Sequence, residues 1–377
     1  MPTKSRSNPG PWVPGVRLTR PLLAACLLVI TASSQTPPEF PRLRGEGALK
    51  VMTYNMDVGT DYAGLLDPNL DNFKQAATNL VLAVRASDPA GRTQAIAREI
   101  IATMPDLVSL QEVATLSTGT TKNNLTTEFD YLQLLLQALT AQGAQYAPVA
   151  WSTTWDATIP TTTGFARNIW SDVIIARSDL AAENLSFTNS HGGIWTATFV
   201  PHLYALDGHS DLCPVGLKAD GTCRMPWHRG WASADVLYRG KNFRIVGAHL
   251  DSASPLLEIP QGTELLDGPA NTSLPVVVAG DLNCDCSNPS DPTYATCVNF
   301  SNAGFIDSWA AADPSEIGYT KHLPVMSQRS DYVMVRGPFG VQAAFIVGDQ
   351  ANDMTQSGRW PSDHAGVVAR LRLSGND

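Results

Sequence analysis

The chain has 377 residues, 44% hydrophobic and 16% charged, with a formal net charge of −9. This composition builds a large core and excludes a disordered or fibrous chain. The longest apolar run is about a dozen residues, short of the ~20 that span a bilayer, so no stable membrane span is expected; with 35 acidic against 26 basic residues there is no bulk basic surface for gripping nucleic acid.

In chain order, residues 1–34 come first. Lys4, Arg6, Arg17 and Arg20 precede the apolar segment PLLAACLLVITA at 21–32, and small residues follow. A basic, apolar, small succession predicts a signal peptide and a secreted or periplasmic protein. LAAC at 23–26 offers Cys26 as an alternative lipoprotein anchor, but the apolar run continues past it. Loss of these four positive charges takes the net charge to −13, so an anionic substrate needs a local site, with a divalent cation as the natural aid. Residues 35–47 read as a Pro/Gly linker, and 48–374 as one catalytic domain.

Residues 49–58 (LKVMTYNMDV) alternate and are rich in β-formers, which predicts a strand. Residues 71–86 read as a helix. In 91–104, Ile96, Ile100, Ile101 and Met104 keep helical spacing, and Pro105 stops that helix. DLVSLQEV at 106–113 reads as a buried strand and 126–143 as an amphipathic helix ended by Gly143. Further strands are expected at 170–177, 234–240, 242–251, 274–283, 329–337, 341–348 and 364–373. Segments 114–125 and 202–230 lack periodicity and read as loops. Strand-helix-strand order at the front and hairpin-like strands behind predict an α/β domain with large mixed sheets.

In an oxidising compartment Cys213 and Cys223 could close a small loop, and one pair among Cys284, Cys286 and Cys297 is expected, leaving one thiol over. A metal site on these cysteines is the weaker reading, because no His stands near at zinc spacing.

Polar groups recur at the ends of apolar strands. Asn55 follows VMTY, Gln111 and Glu112 follow DLVSL, His249 and Asp251 end FRIVGA, Asp281 and Asn283 follow PVVVAG, Asp331 opens DYVMV, and Asp363 and His364 precede AGVVARL. A strand ending in an acid, amide or imidazole delivers that group to the sheet rim, where ligand sites form. Singly, each reads as a cap, a turn residue or a satisfied core histidine. All six together, each joined to an apolar strand, read as one site. Asn55, Glu112 and Asp363 are hard oxygen donors suited to Mg²⁺ or Mn²⁺. Asp281 is a base or orienter for water, Asn283 a donor to phosphate, His249 and His364 proton donors or charge stabilisers, and Asp331 an orienter of a histidine.

TYN (53–55), LQEV (110–113), AHLD (248–251), GDLN (280–283), SDYV (330–333) and SDH (362–364) resemble the endonuclease/exonuclease/phosphatase superfamily, deoxyribonuclease I-like, over about residues 50–374. The resemblance implies a four-layer α/β/β/α sandwich, two mixed sheets face to face with helices outside. It implies metal binding by Glu112, with Asn55 and Asp363 beside it, and catalysis by His249, Asp281, Asn283, Asp331 and His364. The expected reaction is Mg²⁺-dependent, in-line attack of water on a phosphodiester by a monomeric enzyme. DNA or RNA stands slightly ahead of a small phosphodiester. A sphingomyelinase-like phospholipase C and an inositol or nucleotide phosphatase are the alternatives, and a non-catalytic binding module on the same scaffold is the reading of another class. The sequence departs from the family pattern at Ala248, where a Thr is common. The phosphate-orienting residue of the nucleases is not readable, with Asn168 and Asp172 as candidates. Arg167, Arg224 and Arg229 could clamp a second phosphate, and Trp227 and Trp231 read as core packing.

Overall fold

The computed structural model describes residues 47–65, 72–199, 202–203, 223–224 and 227–374, all within the unit Pro37–Asp377. The signal peptide, the linker up to residue 46, the Cys26 anchor and the Cys213–Cys223 pairing lie outside the described residues.

Two sheets carry the fold. The first runs β14 (Phe339–Val347), β15 (Gly366–Leu373), β1 (Leu49–Asn55), β2 (Leu107–Thr121), β5 (Gly164–Arg177), β4 (Tyr146–Thr161), with β3 (Asn124–Asp130) paired to β2. The second runs β12 (Ile306–Asp307), β13 (Asp331–Arg336), β11 (Val276–Asp281), β10 (Lys241–His249), β9 (Gly230–Tyr238), β6 (Leu185–Ile194). A small pair, β7 (His202–Leu203) and β8 (Cys223–Arg224), stands apart. Each sheet has a parallel pair, β1–β2 in one and β10–β11 in the other, with antiparallel strands around it.

The period of two along each strand sorts side chains into layers. In β1, Met52 and Tyr54 face helices α1 (Phe73–Ala86), α2 (Pro89–Thr103) and α3 (Tyr131–Ala141), meeting Val81, Ile96 and Leu135. Val51 points the other way and joins Leu107 and Ile174 against Ile245, Val277 and Val333 of the second sheet. Val246 and Val278 then face α4 (Pro255–Asp267) and α5 (Tyr294–Asn302), through Leu265 and Phe300. A short α6 (Ser308–Ala312) follows β12. The result is the expected α/β/β/α sandwich. Among the described residues no helix is long and apolar enough to cross a membrane.

Several expectations need correction. Residues 114–121 are not a loop: they continue β2 and turn back as β3. This ribbon is Thr-rich and half-exposed, so ladder hydrogen bonds hold it and no hydrophobic period marks it. Residues 126–130 therefore belong to β3, and α3 starts at Tyr131, where the Asp130 carboxylate accepts from the Gln133 N–H at 3.0 Å. Strand β4 went unread because of Pro148 and Pro160. It lies at the sheet edge, where a missing N–H is tolerated. Helix α4 was masked by Pro255, Pro260 and Gly262. Pro255 occupies the first turn. Gly262 lets α5 approach: a Cβ there would meet Thr296 Cγ2 at 2.8 Å.

Of the three clustered cysteines, Cys286 and Cys297 form a disulfide and Cys284 is a buried free thiol, as the odd count implied. The disulfide ties α5 to the loop after β11.

Glu258 of α4 is wholly buried. Thr296 Oγ1 bonds its Oε2 at 3.0 Å, and Oε1 has no partner. Burial pushes its carboxyl up to about 8, against the Thr296 bond. A folded-state value above the unfolded ~4.5 means stability falls as pH rises between the two, by about 1.4 kcal/mol per unit. Glu258→Gln is expected to remove this slope and stabilise the fold at pH 8 by roughly 3 kcal/mol. Urea midpoints at pH 5 and pH 8 measure it. An equal shift at both values contradicts the account.

Candidate active site

The layer rule that built the core also builds the site. Asn55 shares a face with Val51, Asp281 with Val277 and Ala279, and Asp331 with Val333, all at one end of the sheet-to-sheet interior. His249 lies on the face of Phe243 and Ile245. Register completes the arrangement: His249 is opposite Asp281, and Asp281 opposite Asp331, on three adjacent strands. Gly280 permits this pairing, since a Cβ there would lie 1.9 Å from the Ala248 carbonyl oxygen.

Asp281 is the hub. Its Oδ2 accepts from Asn55 Nδ2 of the other sheet at 3.1 Å, and its Oδ1 from the Asn283 N–H at 3.1 Å. His249 Nε2 and His364 Nε2 stand 3.5 and 3.8 Å from Oδ2. Burial alone would raise this carboxyl. The charges of His364, Lys321 and His249 outweigh it and hold the group well below the usual carboxylate range. It is therefore an anion at any working pH.

His364 Nδ1 bonds Asp331 Oδ2 at 2.8 Å. Asp331 is fully buried, and Thr320 Oγ1 accepts from its N–H. Burial would lower the His364 pKa, but Asp331 and Asp281 push it up to about 10. Asp281, Asp331 and His364 bring their donor atoms within 4.8 Å of one another. The 2.8 Å bond identifies the His364–Asp331 pair as an oriented imidazole. His249 is buried with Nε2 lacking a hydrogen-bond partner, and its Nδ1 lies 3.5 Å from Asp172 and 3.4 Å from Arg229 Nη1. An unpaired, buried imidazole nitrogen beside Asp281 is a position for a ligand atom.

The outer rim is acidic. Glu112 sits at φ 56° where β2 carries an extra residue between Leu110 and Val113 against β5. Such a bulge re-aims a side chain, and left-handed backbone persists where the surroundings enforce it. The Glu112 carboxylate accepts from the Val58 N–H at 3.1 Å and from Arg229 at 3.3 Å. Burial opposes its ionisation, but Arg229, His249 and His364 hold its pKa below normal. Asp57, also left-handed at φ 55°, lies beside it. Burial pushes Asp57 up to about 6, Arg92 opposes, and the charges of Asp363 and Glu112 add to the rise. Asp363 is exposed at the same cavity mouth. Arg92 of α2 bonds the carbonyls of Met56, Asp57 and Pro361, fixing both loops.

All eight residues proposed from the sequence thus converge on one end of the sandwich. Asn283, at φ 48°, spends one amide hydrogen on the Leu250 carbonyl and accepts from Lys321 Nζ at 2.8 Å, leaving its second amide hydrogen. Asn168 and Asp172 are both buried here, Asn168 accepting from Tyr62 OH at 2.8 Å. Arg229 joins the site. Arg167 does not: it pairs with Asp156 on the surface. The side chain of Arg224 lies outside the described residues. Trp231 rests on Trp195, whereas Trp227 is half-buried and lines the cavity. Asp57, Arg92 and Lys321 were missed. Only Asp57, two residues after Asn55, carried a local signal.

Three carboxylates at one mouth, with Asp57 raised chiefly by burial and further by the charges of the other two, form a hard-oxygen donor set. That is the environment a divalent cation fits.

The sequence model of the endonuclease/exonuclease/phosphatase family matches residues 52–364. No curated protein matches the chain. Among solved structures, a family protein from Leptotrichia buccalis is 17% identical, with 86% of this chain and 99% of that one covered, at a TM-score of 0.52. One from Beutenbergia cavernae is 21% identical, with 87% and 72% covered, at 0.51. A mannosyl-6-phosphatase from Bacteroides thetaiotaomicron is 17% identical, with 86% and 99% covered, at 0.51. These are likenesses of fold.

Proposed function

Because this chain belongs to the endonuclease/exonuclease/phosphatase family, we propose that it is a divalent-metal-dependent phosphoester hydrolase that uses water as nucleophile. The observation that carries this reading is the buried Asp281 anion flanked by two imidazoles, one bonded to Asp331, beside an acidic rim.

Glu112, with Asn55, Asp57 and Asp363, would hold Mg²⁺ or Mn²⁺. Bound there, the cation supplies charge neutralisation for phosphoryl oxygens. Asn55 Oδ1 already accepts from the Asp57 N–H at 2.9 Å, which fixes the amide with its oxygen toward the rim. Asp281 accepts a hydrogen bond from water and aims its oxygen at phosphorus. A strongly acidic carboxyl is a poor proton acceptor, so its part is orientation more than proton removal. His364, kept cationic, donates from Nε2 to a phosphoryl oxygen as negative charge grows. The free amide hydrogen of Asn283 and Nε2 of His249 supply further donors. The oxygen of water bonds to phosphorus as the ester bond breaks opposite, the leaving oxygen takes the electron pair, and the proton that water releases to solvent is balanced by the one the departing alcohol gains. No covalent enzyme intermediate is needed.

The cavity has Arg229 as its single base among the described lining residues. That supports a compact ester over a nucleic-acid strand, whose flanking phosphates require a basic track. DNA and RNA are accordingly run as comparison substrates.

Bis(p-nitrophenyl) phosphate is expected to be hydrolysed with Mg²⁺ or Mn²⁺ and to be spared after chelation, with p-nitrophenyl phosphate testing monoester cleavage in parallel. Glu112→Gln is expected to raise the metal concentration for half-maximal activity at least ~10-fold. Undiminished hydrolysis after exhaustive chelation sinks the metal assignment. No hydrolysis with any divalent metal favours the binding-module reading.

A further inference from the structure

Asn283 has both ends of its amide fixed. Nδ2 donates to the Leu250 carbonyl at 2.9 Å, and Oδ1 accepts from Lys321 Nζ at 2.8 Å. A flip of the amide would set two donors against each other at Lys321 and two acceptors at Leu250, so one orientation holds. The residue is buried, and its N–H bonds Asp281 Oδ1, so the amide stands beside the carboxylate proposed to aim water. Lys321 arrives on a clamped segment. Its backbone pairs with Gln328 and with His364, and the Ala365 N–H donates to the Thr320 carbonyl at 2.7 Å. Thr320 is fully buried, and its Oγ1 accepts from the N–H groups of Ser330 and Asp331. One short strap therefore supports Lys321, Asp331 and His364 together.

We propose that Lys321 is a positioning residue of the hydrolytic site and that it acts through Asn283. The inference rests on the phosphoester-hydrolase reading. Two effects come from the one bond. The ammonium holds the amide in the orientation that keeps its second hydrogen for a phosphoryl oxygen. It also draws electron density from Oδ1, which makes that hydrogen a stronger donor as negative charge grows on the phosphoryl group. The loop itself does not depend on this bond. Backbone hydrogen bonds of Lys321 with Gln328, and of His322 and Leu323 with Asp363, already hold it. The charge of Lys321 also reaches Asp281, a second route that does not pass through Asn283.

A double-mutant cycle separates the two routes. In the full protein, with saturating Mg²⁺ and bis(p-nitrophenyl) phosphate, Lys321→Met is expected to lower kcat about 10-fold to 100-fold and to leave KM within about threefold. Lys321→Arg keeps a charged donor and is expected to restore at least about a third of the unaltered kcat. In an Asn283→Ala background, Lys321→Met is expected to cost less than about threefold, because the group it acts on is gone. Circular dichroism and thermal unfolding check each variant, and Lys321→Gln takes the place of Lys321→Met in the cycle should the latter not fold. Equal losses in the two backgrounds put the effect on Asp281 or on the loop and overturn the proposal. So does a loss confined to KM, an arginine variant no better than the methionine one, or a Lys321→Met kcat within about threefold of the unaltered value. Each of these leaves the hydrolase reading intact. Failure of the unaltered protein to cleave bis(p-nitrophenyl) phosphate with any divalent metal overturns that reading, and this role with it.

Discussion

Asp281→Asn is expected to lower kcat for bis(p-nitrophenyl) phosphate on the order of 10³-fold, with the fold preserved. The side chain is isosteric, and its surroundings suit an amide poorly in one respect only. Asn55 Nδ2, His249 Nε2 and His364 Nε2 face Oδ2, and the charge of Lys321 adds to theirs, so an amide nitrogen there meets repulsion and water loses its anionic acceptor. Circular dichroism and thermal unfolding establish that the variant folds, and kcat at saturating metal gives the effect. A variant within tenfold of the unaltered protein would mean that another group aims the water.

His364→Ala is expected to cost on the order of 10²–10³-fold in kcat, because it removes the cation facing the phosphoryl oxygens. Asp331→Asn should cost about tenfold to 100-fold, as is usual for a partner that only orients. Its distinguishing mark is in the pH profile. His364 is protonated up to about 10, so activity should hold through neutral pH and fall on an alkaline limb near 10. Asp331 is the largest of the charges that raise this value, ahead of Asp281 and Asp363, and neutralising it should move the limb to lower pH. A purely structural role for Asp331 would lower the rate without moving the limb. The same raised value stabilises the fold below the unfolded value of about 6.5, and that contribution is lost as pH rises through about 10.

The parts of the site legible in the sequence were those fixed by strand periodicity. His249 and Asp281 each end a strand whose inward residues continue onto them, and Asp331 begins one. A reader who knows only alternation can place them at a rim. Glu112 was legible by motif, not by parity, because the bulge breaks the alternation on which parity depends. Arg92 and Lys321 were unreadable for another reason. Each reaches the site from a segment distant in sequence, to partners that no local pattern names: Arg92 to the carbonyls of Met56, Asp57 and Pro361, and Lys321 to Asn283. The fold shows the same division. Buried strands and amphipathic helices announce themselves, while the Thr-rich ribbon of β2 and β3 and the Pro-bearing edge strand β4 depend on pairings that hydrophobic pattern does not record.

The last strand, β15, lies between β14 and the first strand, β1, and His364 stands just ahead of it. Asp331 opens β13 of the other sheet, so the 2.8 Å bond between the two side chains spans the seam where the sheets meet. A slip of one sheet over the other would part the imidazole from its carboxylate while leaving each ladder intact, so loosening at this seam is expected to silence the proposed site before the fold itself is lost.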